Sequence, residues 1–142
     1  MIKQVSTNKG RGYVYNLKYH IVFCVKYRHQ ILEGQIKQDL KDFFLKLAEA
    51  NGFQIEAIEI VPDHVHLLLN CTPQHHIPDL LKTIKGPSAR FLFTKHPELK
   101  KRLWGGHLWN PSYFVSSIGE TSENAIKKYI ESQKGGELTE NN

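Results

Sequence analysis

The chain has 142 residues, enough for one domain with a real core and no need of disulfide or metal staples. Lys and Arg number 19 against 14 Asp and Glu, and the net charge of +5 permits nucleic-acid binding without requiring it. The two cysteines, Cys24 and Cys71, are not spaced as a disulfide framework or thiolate site, and no apolar run forms a signal core or reaches membrane-spanning length, so a soluble, cytoplasmic protein is expected.

Taken in order, the first twelve residues are polar, basic and glycine-containing, which reads as a loose arm. From Tyr13 to Val25 apolar residues alternate with Asn16, Lys18 and His20, so a strand with one apolar face is predicted. His20 falls on the polar face, where it is either a surface histidine or a neighbour of a site. A basic loop over 26–30 leads to Ile36, Leu40, Phe43, Phe44 and Leu47, the stripe of an amphipathic helix that ends at Asn51-Gly52. Phe53 to Val61 is the next strand. Its apolar phase slips at Ala57-Ile58, which implies a bulge or a strand covered on both faces.

The turn Pro62-Asp63 opens directly into His64-Val65-His66-Leu67-Leu68-Leu69-Asn70, so these two strands are predicted to form a hairpin. Strand alternation puts Val65, Leu67 and Leu69 on one face and His64, His66 and Leu68 on the other. Two imidazoles spaced about 7 Å along a strand can share a metal ion, or can be two polar groups on a solvated face. Spacing alone leaves both open.

Thr72 to His76 is a loop, after which Ile77, Leu80, Leu81 and Ile84 begin a helix that Gly86-Pro87 is expected to break or kink. Lys82, Lys85 and Arg90 give this helix a basic side, suited either to solvent or to phosphates. The segment from Lys95 to Trp109 interleaves cations with Trp104 and Trp109, as single-stranded nucleic-acid binders do, although tryptophans are also common core anchors. A last strand, Tyr113 to Ile118, passes through Gly119 to a helix capped at Thr121 or Ser122 and stopped at Gly135-Gly136. Ile126, Tyr129, Ile130 and Gln133 share one face of it, so a tyrosine and an amide project together. A buried, hydrogen-bonded tyrosine is the structural alternative for Tyr129. Residues 136–142 read as a disordered tail.

The order β, α, β, β, α, β, α suits a single α+β domain over 1–142. We expect an antiparallel-rich sheet with helices on one side, a ferredoxin-like (split βαβ) plan, and an added C-terminal tyrosine helix.

These residues resemble the single-tyrosine HUH transposases of the smallest bacterial and archaeal insertion sequences. The likeness runs through Tyr19-His20-Ile21-Val22-Phe23, Pro62 to Leu69, Ile84-Lys85-Gly86, Ser88-Ala89-Arg90, Tyr113 to Gly119 and Tyr129-Ile130-Glu131-Ser132-Gln133, in the family's order and spacing. It implies that His64, His66 and Gln133 hold a divalent metal and that Tyr129 attacks DNA to give a 5′-phosphotyrosine link and a free 3′-hydroxyl. By ligand softness two imidazoles suit zinc or another transition metal, whereas an amide oxygen and phosphate suit Mg or Mn. The resemblance favours Mg or Mn. It further implies hairpins in single-stranded DNA as the partner, a homodimer to exchange two DNA ends, and no membrane or small-molecule substrate. Lys82, Lys85, Arg90, Trp104 and Trp109 are the candidate DNA contacts. Rival readings are a related HUH endonuclease acting on chromosomal palindromes, a noncatalytic nucleic-acid-binding domain of the same fold, and a hydrolase with a metal-bound water.

Overall fold

The computed structural model describes residues 8–10, 13–15, 17–117 and 128–133. The predicted cap at Thr121 or Ser122, the stop at Gly135-Gly136, the tail and the arm before Asn8 lie outside the described residues, as does Gly119. Among those described, no helix is long and apolar enough to cross a membrane.

The centre is a four-stranded antiparallel sheet of β3 (Leu17–Cys24), β4 (Gln54–Val61), β5 (His64–Cys71) and β6 (Phe114–Ser117), in the order β4-β5-β3-β6. The first and last of these strands are neighbours and the sequence-adjacent β4 and β5 form the predicted hairpin, which is the split βαβ arrangement. β3 and β5 pair along their full length, with Val22 opposite His66 and Cys24 opposite His64.

Alternation fixes what each face does. Ile21, Phe23, Val25, Val65, Leu67 and Leu69 are all 0–1% exposed and point into one core. Each such side chain contributes roughly 1.5–3 kcal/mol when fully buried, so a one-residue slip of β5 is strongly disfavoured. The phase slip in β4 is resolved by a register shift between Ile55 and Ala57. One extra residue, Glu56, lets Ile55, Ile58 and Ile60 all turn toward the core although their spacing is uneven. Glu56 instead pairs with Lys18 at 2.9 Å and accepts from Asn70 at 2.9 Å.

Two helices cover the apolar face. α1 (Gly34–Asn51) buries Leu40, Phe44 and Ala48 and stops where Gly52 takes a left-handed φ of 74°. α2 (Ile77–Lys95) buries Leu80, Leu81, Ile84 and Leu92, and the rings of Phe43 and Phe91 stack at 4.5 Å between the helices. The expected break at Pro87 does not occur. Proline disfavours the α region in the residue before it by clashing with that residue's N–H and Cβ, and here that residue is Gly86, which lacks the Cβ and so part of the clash. The apolar contacts on both sides of Pro87 then hold one continuous helix.

Two further differences concern strands and loops. The strand predicted from Tyr13 divides before β3, and β2 (Tyr13–Tyr15) pairs with β1 (Asn8–Gly10), so residues 8–10 of the expected loose arm form a hairpin. The segment from Lys95 to Trp109 contains short 3-10 turns, Pro97–Lys101 and Trp104–Gly106, with Leu99, Leu103, Leu108 and Trp109 buried. Trp109 stands edge-on to Phe23 at 4.7 Å, and its indole N–H donates to Ser88 Oγ at 3.0 Å. It is a core anchor, and its expected role in stacking on bases is withdrawn. Replacing it with Ala should cost about 3–5 kcal/mol in urea unfolding monitored by circular dichroism, the range for buried large aromatics; a loss below 1 kcal/mol would contradict this placement.

Candidate active site

With the odd positions of β5 sealed in the core, His64 and His66 emerge on the other face of the sheet. Val22 and Cys24, both 0% exposed, lie beside them on β3. The two Nε2 atoms stand 3.0 Å apart. Ring nitrogens that close require something positive between them, a proton or a cation. Two nitrogens each about 2.1 Å from one cation and at right angles about it lie about 3 Å apart, so the pair fits as adjacent ligands of one ion. Burial and the neighbouring His64 hold the pKa of His66 below 6.5, which favours the neutral ring that a metal needs. His20 joins the pair, its ring 5.7 Å from that of His66, and burial lowers its pKa too. Among the described residues no three His, Cys, Asp or Glu side chains gather as a metal cluster. Remaining positions on an ion there fall to an amide, solvent or phosphate.

The turn that begins β5 sets the orientation of His64. Asp63 is 8% exposed, and its Oδ1 lies 2.8 Å from His64 Nδ1. Its Oδ2 takes both Nε and Nη2 of Arg28, at 2.9 and 2.8 Å. Burial by itself raises the Asp63 pKa, but the bonds from His64 and Arg28 outweigh it and keep the carboxylate ionised. An ionised carboxylate can only accept, so neutral His64 carries its proton on Nδ1 and leaves Nε2 free to bind. Arg28 reaches Asp63 from a tight turn, Lys26–Arg28, in which Tyr27 and Arg28 hold φ of 58° and 53°. Left-handed backbone at two such residues costs on the order of 1–3 kcal/mol each, a strain held by the contacts at its end.

The tyrosine side of the site is the helical segment 128–133. Tyr129 and Gln133 project together, as their spacing of four requires, and both reach Ser112 just ahead of β6. Ser112 Oγ lies 3.1 Å from Tyr129 Oη and donates to Gln133 Oε1 at 3.0 Å. The Tyr129 ring rests 5.9 Å from that of Phe114, which pairs with Val22 in the sheet. Burial pushes the Tyr129 pKa up to about 12, a rise that the Ser112 bond partly offsets. Arg28 connects the two halves, since its Nη1 donates to Ile130 O at 3.3 Å while its other nitrogens hold Asp63.

The basic candidates separate. Lys85 is turned inward: its Nζ donates to Asn110 O, Pro111 O and Ser112 O at 2.7, 3.3 and 3.0 Å, and burial lowers its pKa to about 8. Its ammonium braces the loop before β6, and its side chain also borders the groove that Lys82 lines. Lys82 is exposed and lines a groove with Pro111 and Tyr113. Arg90 is exposed in a second groove with Phe43 and Phe91, and the side chain of Trp104 lies outside what is described. Arg28 and Ser112 carried no signal in the sequence. Asp63 could have been found, because it directly precedes His64.

The model of the family described as "Transposase IS200 like" matches residues 13–133. The chain is 52% identical over 133 residues to the ISDra2 transposase TnpA of Deinococcus radiodurans, covering 94% of this chain and 95% of that one. It is 31% identical over 126 residues to the IS200 element transposase of Salmonella typhimurium, covering 87% and 83%. Among solved structures, a transposase from Deinococcus radiodurans R1, described as putative, superposes with a TM-score of 0.84 at 51% identity, over 89% of this chain and 97% of that one. A REP-associated tyrosine transposase bound to a REP hairpin shares the fold, with a TM-score of 0.53 at 20% identity, over 84% and 67%.

The Asp63 contacts generate a test that needs no substrate. In nitrogen-15 spectra of histidine-labelled protein above pH 7.5, His64 should be the Nδ1–H tautomer, and Asp63→Ala should move it toward Nε2–H. The same substitution leaves Arg28 without its carboxylate and should lower stability by about 1–3 kcal/mol. An unchanged tautomer would remove Asp63 from the site.

Proposed function

This chain belongs to the IS200-like transposase family, and from that membership we propose that it cleaves and rejoins single-stranded DNA at insertion-sequence ends through a phosphotyrosine link to Tyr129. The observation that carries the reading is the meeting of Tyr129 and Gln133 at Ser112, on a segment that Arg28 ties to the turn holding His64 and His66. These contacts support a reading in which Tyr129 is the nucleophile and acts together with the two imidazoles and the Gln133 amide.

The chemistry follows from these groups. Tyr129 Oη attacks the scissile phosphorus, a bond forms from that oxygen to phosphorus, and the bond to the 3′ oxygen breaks. The strand end leaves as a 3′-hydroxyl once it takes a proton. The 5′-phosphate stays on Tyr129, and because the link is itself a phosphodiester, another 3′-hydroxyl can attack it and rejoin DNA without ATP. With its pKa near 12 the phenol is protonated at neutral pH, so its proton must depart as the bond forms. His64, His66 and Gln133 are the proposed ligands of a divalent cation, Mg or Mn, which when bound supplies positive charge to the phosphate oxygens. Asp63 keeps His64 in the binding tautomer, and Arg28 keeps Asp63 in place.

DNA hairpins are the proposed partner. Lys82, Arg90 and Trp104 remain the proposed contacts. Each chain offers one such tyrosine, so exchange of two DNA ends calls for two copies, and a homodimer is part of the proposal.

The test is incubation with single-stranded oligonucleotides from both strands flanking the gene, with Mg or Mn, followed by a denaturing protein gel. A DNA-sized increase in mass is expected for the wild type, and none with Tyr129→Phe, His66→Ala or excess chelator. Asp63→Asn should weaken metal binding about 10–100-fold, as second-shell changes do. An adduct that persists in Tyr129→Phe would end the tyrosine assignment. Hairpin binding with no adduct from any variant would leave a binding domain.

A further inference from the structure

Ser112 is a single hydroxyl with three claims on it. Besides Tyr129 Oη and Gln133 Oε1, its Oγ lies 3.2 Å from Asn110 Oδ1. A serine hydroxyl owns one proton and can accept two bonds. The carboxamide oxygens of Asn110 and Gln133 only accept, so both draw on that one proton, and Tyr129 is the one of the three that can donate in return. The consistent assignment runs from the Tyr129 O–H to Ser112 Oγ, and from the Ser112 O–H to Gln133 Oε1 or Asn110 Oδ1.

The backbone under this hydroxyl is fixed from elsewhere. Ser112 N–H donates to Asn110 Oδ1 at 3.1 Å, and Lys85 reaches out of α2 to hold the carbonyls of residues 110, 111 and 112. Asn110 N–H in turn donates to Cys24 O at the end of β3, 2.8 Å away. The loop is thus built onto the sheet and α2, and it belongs to the scaffold rather than to the tyrosine segment. Two groups each within about 3 Å of one fixed atom are at most about 6 Å apart, so a scaffold atom sets their mutual distance.

We propose that Ser112 is a positioning residue for the transposase reaction: its hydroxyl sets Tyr129 Oη and Gln133 Oε1 relative to each other, on a loop that Lys85 braces. This rests on the roles proposed above for Tyr129 and Gln133. It assigns a task to a small polar residue outside the HUH strand and outside the tyrosine helix, and it explains why a partly buried lysine directs its ammonium at three consecutive carbonyls.

The experiment uses full-length protein in four forms: wild type, Ser112→Ala, Ser112→Thr and Lys85→Met. Single-turnover adduct formation is measured with a hairpin oligonucleotide and Mn, hairpin affinity by fluorescence anisotropy, and the Tyr129 Cζ resonance in tyrosine-labelled protein, assigned with Tyr129→Phe. Ser112→Ala should slow adduct formation on the order of 100-fold, the scale of a misplacement of about 1 Å, while hairpin affinity stays at the wild-type value. Ser112→Thr, which keeps the hydroxyl, should recover most of the rate, and Lys85→Met should slow it as Ser112→Ala does. The Cζ resonance should move in Ser112→Ala and return in Ser112→Thr. A wild-type rate in Ser112→Ala overturns the proposal, as does equal loss in the Ala and Thr variants. If the wild type forms no adduct, the catalytic reading has failed on its own account; the Cζ resonance then decides Ser112, and an unmoved resonance overturns its role.

Discussion

Everything at this site depends on the period of two in β5 and on the burial of its odd positions. Val65, Leu67 and Leu69 are sealed between the sheet and two helices, so the strand has one register and His64 and His66 have one face. The site therefore inherits its precision from aliphatic packing that touches no functional atom. β3 supplies the neighbours: Val22 and Cys24 lie opposite His66 and His64, with His20 one pleat further along. A pair of imidazoles on a loop would need its own ordering energy, whereas here the core provides it.

The second organising element is cationic, and its charges are directed inward. Arg28 divides its guanidinium between Asp63 and the Ile130 carbonyl, and Lys85 divides its ammonium among three carbonyls of one loop. A guanidinium can serve two partners at once because its donors are fixed in a planar fork, and an ammonium can serve three because its donors rotate freely. A net charge of +5 thus overstates the charge available to phosphates, since two of the cations nearest the site are engaged within the protein.

What the sequence revealed and what it hid divide along contact range. The hairpin at Pro62-Asp63, the helix stop at Gly52 and the bulge in β4 all follow from residues within a few positions of one another, and all were readable. The pairing of Tyr129 with Gln133 was readable for the same reason, being one helical turn. Arg28 on Asp63, Lys85 on residues 110–112 and Ser112 on Tyr129 span 17 to 35 positions, and no local pattern announces them. Gly86-Pro87 misled because two helix-breaking residues were added together although the apolar contacts on both sides of them hold the helix, and Trp109 because an aromatic among cations was read by composition when its indole N–H was destined for Ser88.

The bulge at Glu56 has a consequence for the surface as well as for the core. β4 is an outer strand, and an outer strand offers a row of backbone donors and acceptors to any other chain that can lie flat against it. The extra residue breaks the even spacing that such a chain would need, and Glu59 adds an exposed acidic residue along the same strand. One residue inserted to keep three isoleucines on the core side thereby also protects this border of the sheet from self-association, so stability and solubility at β4 are settled by the same irregularity.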